Sequence, residues 1–207
     1  MYHIIKENPL ISIIRKLPPE QTIDYAEAVY NGGIKAFEIA CNSPGAMKQI
    51  SMLRSHFGNT ALIGAGTVTT IERAREAMDA GAQFLLSPST NLSILEYAKQ
   101  NNTPLLPGVM TPTDVDICYN AGYKVFKLFP AASLPLNYVH NLKGPFDDTE
   151  YVAVGGVTLS NLSQFFKSGF IGAGIGSNLI PKEYIEANNW VAAAQSVAEF
   201  VVVSSNV

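Results

Sequence analysis

The stretch Ala121-Gly122-Tyr123-Lys124-Val125-Phe126-Lys127-Leu128-Phe129-Pro130-Ala131 is a short apolar run, rich in β-formers, behind a turn glycine. That pattern predicts a strand. Pro130 closes it, because proline brings no N–H to a ladder. Lys127 stands inside the run. In a parallel sheet both faces of a strand are covered, so a lysine there is out of place. Burying an ammonium is costly unless it is paired or gives up its proton. An uncharged lysine is a nucleophilic amine, the group a Schiff base needs. The structural alternative is a strand-end lysine that reaches water or pairs with a carboxylate.

The glycine-then-strand phrase repeats along the chain. It occurs as Asn31-Gly32-Gly33 before Ala36–Ile39, Ala80-Gly81-Ala82 before Phe84–Leu86, Ala121-Gly122-Tyr123 before Val125–Lys127, and Ser168-Gly169-Phe170 before Ile171–Ala173. Each glycine sits where a helix ends. Filling the gaps in the same way predicts eight strands, near Leu10–Ile14, Ala36–Ala40, Ala61–Gly64, Phe84–Leu86, Pro104–Leu106, Val125–Phe129, Tyr151–Val154 and Ile171–Gly174. Amphipathic helices are expected over Pro19–Tyr30, Pro44–Phe57, Thr70–Ala80, Leu92–Gln100, Thr111–Ala121 and Leu159–Lys167, with caps such as Thr70-Ile71-Glu72 and Thr113-Asp114. A closing helix is expected from Asn188 to Phe200, and a short N-terminal helix that plugs the barrel bottom. Strict alternation of strand and helix implies parallel strands with helices outside, and eight units close into a (β/α)8 TIM barrel, an α/β fold. The open doubly wound sheet has no preference for eight units, and no GxGxxG follows the first strand. No linker or low-complexity stretch divides residues 1–207, so a single domain is expected.

Composition narrows the partners. Hydrophobic residues make up 47% and charged residues 15%, a chain that buries much of itself. The formal charge of -3 argues against nucleic acid and acidic membranes. No apolar run is long enough to span a bilayer, and the first residues do not read as a signal peptide. Cys41 and Cys118 form no CxxC and are expected to be free thiols in a reducing cytoplasm. His3, His56 and His140 are isolated, so no metal site and no cofactor are expected.

Chemistry on such a barrel sits at the C-terminal ends of the strands. Polar or special residues there are Arg15, Glu38, Asn42, Thr67, Pro88, Lys127 and two glycine loops, Gly155-Gly156 and Gly176-Ser177. The glycine loops follow strands seven and eight and lead into helices, the arrangement that cradles a phosphate. Ordinary tight turns are the plain alternative. Glu38 lies in Ala36-Phe37-Glu38-Ile39-Ala40, and a carboxylate directed into a lumen is a candidate general acid/base. A structural Lys–Glu pair would account for Glu38 and Lys127 equally, though such pairs contribute little net stability. Arg15 can fork a carboxylate or be a solvated cation. Thr67 can bind a ligand or cap a helix.

Over Pro9 to Leu179 the chain resembles the bacterial 2-keto-3-deoxy-6-phosphogluconate / 6-phosphogalactonate aldolase family of class I aldolases. The resemblance rests on Phe37-Glu38-Ile39, Ile63-Gly64-Ala65-Gly66-Thr67-Val68, Pro107-Gly108-Val109-Met110-Thr111, Lys127-Leu128-Phe129-Pro130-Ala131 and Val154-Gly155-Gly156-Val157. It implies that Lys127 is the Schiff-base lysine, that Glu38 shuttles the proton, and that Gly155, Gly156, Gly176 and Ser177 hold the substrate phosphate. Arg15, Asn42, Thr67, Pro88, Phe129 and Val154 would contact the rest of the substrate. It further implies a phosphorylated 2-keto acid and pyruvate as ligands and a homotrimer. The phosphogluconate branch carries arginine where Asn42 stands and threonine where Val154 stands; both departures match the phosphogalactonate branch, in which Arg15 takes the carboxylate. The resemblance leaves a 2-dehydro-3-deoxy-6-phosphogluconate / 4-hydroxy-2-oxoglutarate aldolase as the alternative within the family; a phosphosugar isomerase or epimerase, or a barrel that only binds phosphorylated metabolites, would share the cradle without needing a covalent lysine.

Overall fold

The computed structural model describes residues 1–206. The first half runs α1 (Tyr2–Glu7), β1 (Leu10–Ile14), α2 (Thr22–Asn31), β2 (Ala36–Ala40), α3 (Ala46–Phe57), β3 (Leu62–Gly66), α4 (Ile71–Asp79), β4 (Phe84–Leu86), α5 (Leu92–Gln100), β5 (Leu105–Leu106) and β6 (Gly108–Val109). The second half runs α6 (Pro112–Asn120), β7 (Val125–Leu128), α7 (Tyr138–Lys143), β8 (Glu150–Val154), α8 (Leu159–Lys167), β9 (Gly172–Ile175), α9 (Lys182–Glu186) and α10 (Trp190–Ser205). All pairings are parallel, in the order β5-β4-β3-β2-β1-β9-β8-β7-β6. The two outermost segments, β5 and β6, are consecutive in the chain, so the ring closes through Pro107.

The sequence predicts one fifth strand ending at Leu106; two segments are found instead. Pro107 has no N–H to donate, and its carbonyl accepts the Lys127 N–H at 2.9 Å. The strand therefore pairs with β4 before the proline and with β7 after it. Eight strand positions make the barrel of the (β/α)8 class. A second difference lies at α6. Its cap is Thr111, not Thr113: Pro112 supplies a pre-set first helical residue, and Thr111 with Asp114 forms a capping box. The short α7 and α9 have no expectation to match.

Alternation sorts the strand side chains. Outward residues such as Phe37, Ile39, Phe126 and Tyr151 pack under the helices. Inward ones, among them Ile11, Phe84, Leu106 and Val152, fill the lumen with Ile5 of α1, which is fully buried. The N-terminal helix thus does plug the barrel floor, where a Cβ at Gly172 would approach Ile5 at 2.8 Å. The repeat glycines Gly33, Gly81, Gly122 and Gly169 all have positive φ, as helix ends of this kind require. α10 closes the ring against α2 and α8. Among the described residues no helix is long and apolar enough to cross a membrane.

Candidate active site

The lumen changes character above its apolar floor. On β2 the inward positions are Ala36, Glu38 and Ala40; on β7 they are Val125 and Lys127. Glu38 and Lys127 therefore meet inside the barrel. Lys127 Nζ lies 4.0 Å from Glu38 Oε1, with side-chain exposures of 5% and 0%. That gap is wider than a hydrogen bond, so the pair has not collapsed into the short contact of a structural salt bridge. Neither Glu38 carboxylate oxygen has a hydrogen-bond partner among the described residues. Packing and the lysine at 4.0 Å hold the carboxylate, and among the described residues its acceptors are free for a ligand. Gly66 makes room for it: a Cβ there would overlap the Glu38 side chain.

Arg15, Asn42 and Thr67 end β1, β2 and β3 and come together at the mouth. Arg15 donates from Nη1 to Asn42 Oδ1 at 3.0 Å and from Nη2 to Thr67 Oγ1 at 3.1 Å. Thr67 and Lys16, the neighbour of Arg15, both hold positive φ, at 56° and 55°. Strained non-glycine backbone of this kind persists where the surroundings over-determine it, commonly at functional sites. Lys16 N–H donates to Ser43 Oγ at 3.0 Å, and Arg73 donates to the Thr67 carbonyl at 3.5 Å.

The Phe129 ring, 39% exposed, has its centroid 5.4 Å from Lys127 Nζ. It also lies 3.1 Å from where a Gly155 Cβ would stand, so it connects the lysine to the glycine loops. Val154 is a buried lumen wall against Gly174 and offers no polar atom. Pro88 touches the lysine only indirectly: its backbone lies against Gly108, which pairs with Lys127. Gly155 and Gly156 have φ of 94° and 75° and lead into the capping box of α8, Thr158 with Asn161. The Gly176-Ser177 loop is tied to them by Asn178, whose Nδ2 donates to the Val157 carbonyl at 2.9 Å.

Cysteine does not compete as the nucleophile. Burial pushes the Cys41 thiol up to about 11, with Arg73 opposing and Glu38 reinforcing the shift, and burial also raises Cys118. Among the described residues no group of three His, Cys, Asp or Glu is placed to hold a metal ion.

The chain as a whole has counterparts among known proteins. The family model for KDPG and KHG aldolase matches residues 1–196. The chain belongs to the KDPG and KHG aldolase family. The 2-dehydro-3-deoxy-6-phosphogalactonate aldolase of Escherichia coli (strain K12) is 34% identical over 93% of each chain. A solved structure described as native KDPGal is 32% identical, with a TM-score of 0.87 over 96% of this chain and 95% of its own. The KDPG aldolase of Legionella pneumophila, with pyruvate captured as a covalent carbinolamine, is 29% identical, with a TM-score of 0.87 over 94% of this chain and 95% of its own.

In this aldolase the sequence reading overlooks Asn161 and Asn178. Asn161 could have been found, because Thr158-Leu159-Ser160-Asn161 has the spacing of a capping box. Asn178 leaves no local signal, since its partner is 21 residues away.

Proposed function

We propose that this aldolase works through a Schiff base on Lys127 and cleaves 2-dehydro-3-deoxy-6-phosphogalactonate to pyruvate and glyceraldehyde 3-phosphate. The observation that carries it is a lysine enclosed in the lumen, 4.0 Å from a carboxylate whose oxygens accept no hydrogen bond among the described residues. The Lys127 amine attacks the C2 ketone and water leaves, giving an iminium. Its cationic nitrogen takes the electron pair of the C3–C4 bond as that bond breaks. Glu38 accepts the proton of the C4 hydroxyl, the aldehyde leaves, and the enamine is protonated at C3 and hydrolysed to pyruvate. Arg15, steadied by Asn42 and Thr67, takes the carboxylate. Pro88, Phe129 and Val154 line the carbon chain, and Gly155, Gly156, Gly176 and Ser177 bind the phosphate. Phosphate binding far from the reacting carbons contributes energy that positions them.

Two residues support the galactonate substrate. Asn42 and Val154 stand where the phosphogluconate branch has arginine and threonine, and a missing hydroxyl near C4 is suited to choosing between C4 epimers. A homotrimer in the cytoplasm completes the proposal. Exposed apolar side chains near the mouth, Phe129 and Met110, are consistent with subunit contact. The test is kcat/KM for the two C4-epimeric substrates, measured side by side. The galactonate epimer should be preferred; an equal or reversed preference overturns the substrate assignment.

A further inference from the structure

The loop after β8 has its carbonyls occupied and its amides unoccupied. The Gly155 carbonyl accepts the Ala132 N–H at 3.0 Å. The Gly156 carbonyl accepts Asn161 Nδ2, and the Val157 carbonyl accepts Asn178 Nδ2, both at 2.9 Å. Among the described residues no acceptor takes the N–H groups of Gly155, Gly156 or Val157, nor those of Gly176 and Ser177. Successive free amides form a concavity for anions, and carbonyls that are tied back cannot turn their negative ends into it.

Of the three ties, only Asn178 reaches from one glycine loop to the other. Its own backbone follows Ser177, and the turn behind it is anchored: Leu179 is buried, its N–H donates to the Gly176 carbonyl at 3.0 Å, and its carbonyl accepts Ser196 Oγ at 2.9 Å. Asn178 itself is exposed. A single half-buried hydrogen bond adds little to stability, whereas fixing the spacing of two half-cradles bears directly on the ligand.

We propose that Asn178 is a positioning residue for a phosphate monoester: it locks the Gly176-Ser177 loop to the Gly155-Gly156 loop so that both bind the terminal phosphate as one unit. The proposal rests on the phosphate assignment made above. The selectivity of the aldolase for phosphorylated over unphosphorylated 2-keto acids then depends on a side chain that does not itself reach the phosphate.

The experiment compares wild type with Asn178→Ala and with Asn178→Leu, which keeps bulk without a donor. The readout is the ratio of kcat/KM for the phosphorylated substrate to that for the same acid lacking phosphate, together with the Ki of inorganic phosphate. Both variants should lower the ratio by about 3- to 10-fold, the worth of one neutral hydrogen bond, and raise the Ki by a similar factor. A variant that merely folds less well loses both substrates alike and leaves the ratio where it was; an unmoved ratio in both variants overturns the proposal. Gly156→Ala is the reference, since its Cβ would lie 2.6 Å from that of Ala132. If Gly156→Ala lowers the ratio and the Asn178 variants do not, the role of Asn178 alone falls. If Gly156→Ala leaves the ratio intact as well, the phosphate assignment falls with it.

Discussion

Gly66→Ala adds one methyl group to the lumen wall and should act on catalysis only through Glu38. An ideal Cβ at Gly66 lies 2.5 Å from Glu38 Cγ and nearer still to the carboxyl. Unbonded carbons settle at about 3.5–4.0 Å, so the Glu38 side chain must yield by roughly 1 Å. Turning the carboxyl does not relieve the clash, because the stem is involved, and Glu38 is wholly buried. A misplacement of about 1 Å in a catalytic group costs about 100-fold. Overpacking should also lower stability by about 1–3 kcal/mol, which a thermal melt would register without loss of the fold. The assay is pyruvate release coupled to NADH oxidation, in Gly66→Ala, Glu38→Gln and the double variant. Glu38→Gln alone should lose about 10²–10⁴-fold in turnover. Once that function is gone the methyl has little left to disturb, so the double variant should fall within about 3-fold of Glu38→Gln. Losses that multiply, or a Gly66→Ala enzyme of near-normal rate, would refute the placement of Glu38 in the chemistry.

Arg15→Lys keeps the charge but loses the fork that reaches Asn42 and Thr67 together. It should cost about 10- to 100-fold in kcat/KM, mostly as a raised KM, in steady-state kinetics. Asp114→Ala removes the acceptor for the Met110 and Thr111 N–H groups and the Thr111 hydroxyl, at 3.1, 2.8 and 2.8 Å. It should cost about 1 kcal/mol at neutral pH, or about 2–4 °C in Tm. Burial pushes the Asp114 carboxyl up, but these hydrogen bonds outweigh it and hold the group below its ordinary value of 3.8. Its contribution is therefore full above about pH 4 and lost as pH falls through the lowered value, so the melting temperatures of wild type and variant should converge in acid.

The barrel was legible because the chain states its unit repeatedly: a helix-ending glycine, then an apolar run. Lys127 and Glu38 were legible for a related reason, each being a charge in a run that should carry none. The break in the fifth strand was harder, since Pro107 can end a strand or be passed by, and only pairing with β7 decides. The cap of α6 is ambiguous in the sequence because Thr111 and Thr113 both precede an acidic residue, and Pro112 selects between them. Arg15, Asn42 and Thr67 could be collected as strand-end residues, but not their mutual hydrogen bonds, which depend on two strained backbones. Asn178 lay beyond sequence reading, because its meaning arises only when two loops meet.

The most direct measurement is reduction with borohydride in the presence of pyruvate, followed by peptide mass analysis. The account requires one reduced pyruvyl adduct, on the peptide that contains Lys127, and its disappearance in Lys127→Arg. An adduct on another lysine, or an unmodified Lys127 in an enzyme that still turns over, would contradict it.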